Sequence, residues 1–123
     1  MGRYHLLIVD DDESIAAGLR DGLRVLPDCD ITIATSGEHA LRLLQQQPFH
    51  LLITDYQMPG IDGLTLARQA HQIRPHTAII MLTACCTEGL QERANQAAVQ
   101  HVMRKPTPLA EIRRAVVGSL VTV

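Results

Sequence analysis

Short apolar runs of strand length recur along this sequence, and the longer segments between them space their apolar residues three or four apart. The run at residues 4–9 is followed by three acids, and the run at residues 51–54 by a single acid. The most continuous apolar run lies within residues 77–82, whereas residues 30–34 alternate polar and apolar side chains. With residues 99–103, these patterns predict five strands, of which the second is a half-exposed edge strand.

The segments between the runs carry helix signals. Asp12 is a predicted cap for the first helix, Thr35 with Glu38 forms a predicted capping box before the second, and Thr107 followed by Pro108 precedes the fifth. The third and fourth helices are predicted at residues 64–73 and from Thr87 or Glu88 to Ala97. The positions predicted to face the core are Ile15, Leu19, Leu23, Leu26, Leu41, Leu44, Ala67, Ala70, Leu109, Ile112, Val116 and Leu120.

Alternation of strands and helices with short links predicts a parallel sheet covered by helices on both faces. Right-handed crossovers and an edge position for the second strand favour the strand order 2-1-3-4-5. We therefore predict a single α/β domain over residues 1–123, a doubly wound (βα)5 fold with no output domain in this chain. In such a sheet ligands bind at the carboxyl ends of the strands, where the order reverses between strands 1 and 3.

Composition and charge disfavour several functions. The hydrophobic fraction of 46% is enough for a core, and Tyr4, Phe49 and Tyr56 are the whole set of aromatic residues, so the core is predicted to be aliphatic. A net charge of −2 without a Lys/Arg cluster disfavours a nucleic-acid surface. No run approaches the roughly 18 apolar residues of a membrane span. Three cysteines without framework spacing and no signal-peptide pattern predict a reduced, cytoplasmic protein.

Polar side chains follow four of the predicted strands. Asp10, Asp11 and Asp12 follow the first strand, Asp55 follows the third, and Thr83 and Lys105 belong to the ends of the fourth and fifth. Because the carboxyl ends of parallel strands share one edge, we expect these side chains to lie together. Clustered carboxylates repel one another unless a cation neutralises them, and all-oxygen ligands favour Mg²⁺ over zinc, with Mn²⁺ as an alternative.

A carboxylate, a divalent cation, a hydroxyl and a lysine are the groups that phosphoryl transfer to an acid requires. Asp55 ends an apolar strand just before the Pro59-Gly60 break, so we predict that it is the nucleophile that attacks phosphorus in line. Thr83 is predicted to donate a hydrogen bond, and Lys105 to neutralise charge together with the cation.

The motifs around these residues resemble those of response-regulator receiver domains of two-component signalling. Each motif alone is weak, but their order and spacing together are specific, and the resemblance covers nearly the whole chain. The matching segments are residues 7–11, residues 55–59 with Gly63, residues 82–84, and Lys105-Pro106.

The resemblance implies a flavodoxin-like fold and a role for each site residue. Asp55 would accept the phosphoryl group, Thr83 and Lys105 would contact its oxygens, and a cis Lys105-Pro106 bond is expected. Reorientation of Thr83 would begin the change in output. The implied metal ligands are Asp10, Asp11, Asp55 and the backbone carbonyl of Gln57.

The resemblance also implies partners. A sensor histidine kinase or a histidine phosphotransfer protein would donate the phosphoryl group, and an output domain or downstream protein would read the face formed by helix 4, strand 5 and helix 5. A homodimer through that face is an alternative. The implied activity is that of a signalling phosphoacceptor rather than an enzyme, with self-catalysed phosphorylation and dephosphorylation, and with no direct contact to nucleic acid or membrane.

Three features depart from the family pattern, and one of them is Ala97-Ala98, where Gly-Ala typically precedes the fifth strand. Val102 stands where an aromatic switch residue is usual, and His101 before it is expected to point to the opposite side of the strand. Thr107 replaces the usual apolar residue after Pro106. Gln57 and Cys85 border the expected path of the hydrolytic water, where Gln57 would either orient a water or shield the phosphoryl group.

Two other functions compete with this interpretation. Residues 10–14 fit the D-x-D-x-[TS] signature of haloacid-dehalogenase-like phosphatases, in which Asp10 would be the nucleophile. That family needs a further acidic pair after the lysine, where only Glu111 is available, and its signature leaves the loop after Asp55 unexplained. The second alternative is a phosphorylation-independent interaction module, against which the complete set of site residues argues.

Overall fold

The structure is a computed structural model that describes residues 3–84 and 88–120. Strands and helices alternate throughout these residues, as the hydrophobic pattern predicts. The strands are β1 (Tyr4–Val9), β2 (Cys29–Ala34), β3 (Leu51–Asp55), β4 (Ala78–Thr83) and β5 (His101–Arg104). The helices are α1 (Glu13–Leu23), α2 (Gly37–Gln46), α3 (Gly63–Ile73), α4 (Leu90–Gln96) and α5 (Leu109–Leu120).

The five strands form one parallel sheet in the order β2-β1-β3-β4-β5, which confirms the predicted doubly wound fold. Its register aligns the carboxyl ends of the three central strands. Val9 pairs with Thr54 of β3, and Asp55 pairs with Leu82 of β4. The residues that follow or end these strands therefore meet at one edge of the sheet, on either side of the point where the strand order reverses.

Two hydrophobic cores cover the faces of the sheet, and alternate strand residues point into each. Leu7 and Val9 pack with the helices α2, α3 and α4, whereas Leu6 and Ile8 pack with α1 and α5. All six residues of β4 are buried, as expected for a central strand covered on both sides. Among the described residues, no helix combines the length and the apolarity that crossing a bilayer requires.

The observed helix caps correct two sequence-based predictions. Asp12 caps α1, because its side chain accepts hydrogen bonds from the amides of Ser14 and Ile15. The cap of α2, however, is Ser36, whose hydroxyl accepts from the amide of His39, so the predicted Thr35–Glu38 capping box is wrong by one residue. Thr107 does not cap α5 either. Its hydroxyl donates to the carbonyl of Arg104 at 2.6 Å.

Several boundaries and one core position also differ from the predictions. Helix α1 ends at Leu23, before Leu26, and Ile15 is 50% exposed although its spacing placed it in the core. Strand β5 begins at His101 because the amide of Val99 still bonds to the carbonyl of Ala94 in the turn after α4. Helix α4 begins at Leu90, and the alternative start at Thr87 lies outside the described residues.

Candidate functional site

Three aspartates meet at the carboxyl edge of the sheet. Asp10 and Asp11 follow β1, Asp55 ends β3, and one carboxylate oxygen from each lies within 4.8 Å of the others. Asp10 is buried, Asp55 is partly buried and Asp11 is exposed. The cluster thus runs from the protein interior to its surface, and the burial of Asp55 is intermediate between that of Asp10 and that of Asp11.

Lys105 supplies the positive charge of this cluster. Its Nζ lies 3.1 Å from Oδ1 of Asp55 and 3.4 Å from Oδ2 of Asp10. The lysine follows β5, and its backbone amide donates to the carbonyl of Thr83 at 2.8 Å, which ties the end of β5 to the end of β4. The Lys105-Pro106 bond is cis, as the resemblance implied.

Backbone amides hold the two inner carboxylates in place. Oδ1 of Asp10 accepts a hydrogen bond from the amide of Asp12 at 2.9 Å, and Oδ1 of Asp55 accepts one from the amide of Tyr56 at 3.1 Å. The sequence analysis did not identify these donors, because every residue except proline carries a backbone amide and no residue type signals this role. Each amide thus occupies one oxygen of its carboxylate, and Oδ2 of Asp10 faces Lys105.

Burial and charge shift the pKa of two groups in the cluster. Burial raises the pKa of Asp10, and the negative charge of Asp55 adds to this rise, while the Asp12 amide and Lys105 offset it only in part. Burial alone would lower the pKa of Lys105, but its hydrogen bond to Asp55 and the charges of Asp55 and Asp10 outweigh this and raise it. The lysine therefore stays protonated at neutral pH, and the acids around it favour additional positive charge.

Thr83 and Gln57 belong to the same carboxyl edge of the sheet as the acidic cluster. Thr83 is the last residue of β4 and is 1% exposed. Gln57 is exposed in the loop between β3 and α3. That loop turns tightly, because the amide of Gly63 donates to the carbonyl of Tyr56 at 2.7 Å, and a Cβ at Gly63 would lie 2.4 Å from the Asp55 carbonyl oxygen. Gly63 is thus required by a close backbone approach beside the site.

The donor set fits a hard divalent cation such as Mg²⁺. The three carboxylates of Asp10, Asp11 and Asp55 offer only oxygen ligands, and a single lysine balances them among the described side chains. The raised pKa of Asp10 shows that the buried carboxylate lacks full compensation by protein groups alone. Asp12, by contrast, uses its carboxylate to cap α1.

The departures from the family pattern can be placed in the structure. Val102 is partly buried and packs against the core that contains α4, whereas Met103 packs against the core on the other face. His101 is exposed and lies on the side of the strand opposite to Val102, as predicted. Cys85, named beside Gln57 as bordering the water path, lies outside the described residues.

Comparisons with known proteins agree on one family. The sequence model of one protein family, the response regulator receiver domain, matches residues 6–117 of this chain. The chain is 36% identical over 117 residues to the probable chemotaxis protein CheY of Rhizobium etli. The alignment covers 93% of this chain and 90% of that protein. It is 34% identical over 112 residues to a response regulator receiver protein of Anaeromyxobacter sp., but spans only 46% of that relative's length.

A solved structure shares the fold. The crystal structure of a CheY-like response regulator receiver domain protein from Methanospirillum hungatei JF-1 superposes with a TM-score of 0.92 at 24% sequence identity. The match covers 97% of this chain and 94% of that one. At this identity the likeness concerns the architecture alone.

Proposed function

Since this chain belongs to the response-regulator receiver domain family, we propose that Asp55 accepts a phosphoryl group and that the domain signals through its phosphorylated state. Receiver domains take phosphoryl groups from histidine kinases. The observation that carries the proposal is the position of Asp55. Its carboxylate lies at the sheet edge between two further acids and the Lys105 ammonium, whose Nζ is 3.1 Å away.

The transfer needs no general base, because an ionised Asp55 carboxylate carries the attacking electron pair itself. Its oxygen forms the new bond to phosphorus, and the bond between phosphorus and the donor's histidine nitrogen breaks, with the electron pair returning to that nitrogen. Lys105 is held beside Asp55 and neutralises charge on the phosphoryl oxygens. Thr83, at the neighbouring strand end, donates a hydrogen bond to one of them.

Asp10, Asp11, Asp55 and the backbone carbonyl of Gln57 would hold the cation. Mg²⁺ bound there, or Mn²⁺ in its place, supplies positive charge where the incoming phosphoryl group brings negative charge. The amide of Asp12 orients the Asp10 carboxylate for this role, and the amide of Tyr56 orients that of Asp55. Each inner acid is therefore preorganised by backbone on one oxygen.

We infer the partners from the same chemistry. The donor is a sensor histidine kinase or a histidine phosphotransfer protein, and the reader is an output domain or a separate downstream protein. The surface that changes is the face formed by α4, β5 and α5, and a second copy of the chain is an alternative reader of that face. The domain itself acts as a phosphoacceptor that catalyses only its own phosphorylation and dephosphorylation.

Replacement of Asp55 by Asn tests the proposal. Incubation with Mg²⁺ and acetyl phosphate, followed by intact-mass measurement, is expected to add one phosphoryl group to the wild type and none to Asp55→Asn. The matched control is Asp12→Asn, because asparagine also caps helices and Asp12 lies outside the acidic cluster. This control is expected to be labelled like the wild type.

The same variants separate the competing functions. A haloacid-dehalogenase-like phosphatase would need Asp10 and Asp12, so labelling or ester turnover that survives Asp55→Asn and is lost in Asp12→Asn would replace our proposal by that one. A wild type that gains no mass with any small phosphodonor would instead support the interaction module. The engagement of the Asp12 carboxylate as the cap of α1 argues against the phosphatase.

A further inference from the structure

The start of α2 lies in direct contact with the loop between β3 and α3. Gly37, the first residue of α2, is buried, and a Cβ there would lie 2.3 Å from Cγ1 and 2.7 Å from Cδ1 of Ile61. Real Cβ contacts do not reach such distances. The Ile61 side chain therefore occupies the space that any residue other than glycine would need at position 37.

A second contact joins the same two segments. Gly60 has a φ of +79°, and a Cβ there would lie 2.7 Å from Oε2 of Glu38, so the Glu38 side chain covers this glycine. Gly37 of α2 thus contacts Ile61 of the loop, and Glu38 of α2 contacts Gly60 of the loop. In each pair the glycine lets the two segments approach closely.

The loop at residues 56–62 has little freedom to move away from α2. Its ends are closed by the bond from the Gly63 amide to the Tyr56 carbonyl, at 2.7 Å. The Asp62 side chain caps α3 by accepting from the Thr65 amide at 2.9 Å. The side chain of Ile61 packs against the core beneath α2 and α3, so rotation into solvent would expose apolar surface.

We propose that Gly37 and Ile61 are positioning residues. Their contact sets the distance of the β3–α3 loop from α2 and thereby places the backbone carbonyl of Gln57 for the cation. The inference rests on the proposed function in taking that carbonyl as a ligand. Gln57 lies in this loop, four residues before Ile61, and is exposed. A larger residue at position 37 has to displace either the Ile61 side chain or the loop backbone, and a displacement of the backbone reaches Gln57 through a short, closed segment.

The test compares two glycine substitutions that create the same kind of overlap at different places. Gly37→Ala meets Ile61, whereas Gly22→Ala in α1 meets Cδ2 of Leu109 at 2.4 Å, and the three atoms nearest to that Cβ all belong to Leu109. Mg²⁺ affinity is measured by titration of backbone amide shifts, and the thermal midpoint is recorded in EDTA. We expect Gly37→Ala to weaken Mg²⁺ binding about tenfold, the size of effect typical of residues that support metal ligands.

Gly22→Ala is expected to lower the thermal midpoint and to leave the Mg²⁺ affinity within about twofold of the wild type. The rescue variant combines Gly37→Ala with Ile61→Ala, which removes both overlapping atoms of the isoleucine. If the overlap is the cause, adding Gly37→Ala to Ile61→Ala changes the Mg²⁺ affinity little, so the double-mutant cycle shows strong coupling.

Three results would overturn the positioning role: an unchanged Mg²⁺ affinity in Gly37→Ala, an equal loss in Gly22→Ala, or additive losses in the double variant. A wild type without Mg²⁺-dependent shifts would overturn it as well. Failure of the proposed function looks different, since the wild type would then bind Mg²⁺, respond to the glycine substitutions as expected and gain no phosphoryl mass.

Discussion

At the scale of single residues, Asp10 is a buried acid whose ionised form is unfavourable in the folded domain. Its side chain is 8% exposed, it faces Asp55, and its pKa is raised chiefly by burial. The Asp12 amide and Lys105 compensate only part of that cost. An ionised carboxylate in this position is expected to destabilise the folded domain, and a bound cation would offset that cost.

Asp10→Asn is expected to stabilise the metal-free domain. In EDTA near neutral pH the thermal midpoint should rise by about 3 °C, the change expected for roughly 1 kcal/mol in a domain of this size. Asparagine keeps an oxygen acceptor for the Asp12 amide and removes the buried charge. Mg²⁺ should raise the midpoint of the wild type and leave that of the variant nearly unchanged.

The sign of the pH dependence follows from the raised pKa of Asp10. Below the unfolded-state pKa of 3.8 this acid is protonated in both the folded and the unfolded protein. As the pH rises, the folded protein holds this proton more tightly than the unfolded protein does. The stability that results is lost as the pH rises through the raised pKa of the folded state. The advantage of Asp10→Asn in EDTA should therefore grow as the pH rises. The exposed Asp11→Asn variant is the control, and an equal or larger gain there would contradict the argument.

At the scale of elements, α2 shows why a cap has to be seen in three dimensions. Thr35 and Ser36 are adjacent and both favour helix starts, so either can serve as the cap. The backbone decides for Ser36, which is extended at φ −151° and ψ 159° and whose hydroxyl receives the His39 amide at 3.0 Å. The capping box of Thr35 and Glu38 would have placed that bond one residue earlier.

Ser36→Ala is expected to lower the free energy of unfolding by about 1 kcal/mol, because the His39 amide loses its acceptor. Thr35→Ala should change it by only a few tenths of a kcal/mol, within the usual range of exposed substitutions. Urea unfolding followed by circular dichroism measures both. A larger loss for Thr35→Ala than for Ser36→Ala would restore the cap predicted from the sequence.

At the scale of the whole molecule, the sheet links Asp55, the proposed phosphoacceptor, to the face formed by α4, β5 and α5. Asp55 pairs with Leu82, Thr83 follows in β4, and Thr83 pairs with Arg104 of β5. Val102 lies two residues before Arg104, packed toward α4. Valine has no ring to swing and one stiff side-chain torsion, so we expect the signal to pass from Thr83 through the backbone of these strands.

Val102→Ala is expected to leave the response to phosphorylation largely intact. After treatment with Mg²⁺ and acetyl phosphate, amide shifts should change in β4, α4 and β5 of this variant as they do in the wild type. Thr83→Ala is the comparison variant, and its shift changes should shrink outside the site although Asp55 is still labelled. Loss of the distant changes in a fully labelled Val102→Ala domain would show that the Val102 side chain carries the signal.

The sequence alone determined the architecture and the residues of the candidate site. Strand periodicity, alternation with helices and the acids after residues 9 and 54 are local features, and parallel strands necessarily bring their carboxyl ends to one edge. The sequence therefore assigns Asp10, Asp11, Asp55, Thr83 and Lys105 to one edge of the sheet. Their roles in phosphoryl transfer stay predictions.

Only the tertiary structure decided the features that depend on two distant segments. Periodicity identifies the face of a helix but not how far the sheet covers that face, so the exposure of Ile15 was missed. The contact of Gly37 with Ile61 joins residues far apart in sequence, and no local pattern encodes it. The raised pKa of Asp10 likewise arises from burial and from a neighbouring strand, because electrostatic energy depends on distances in space rather than on order along the chain.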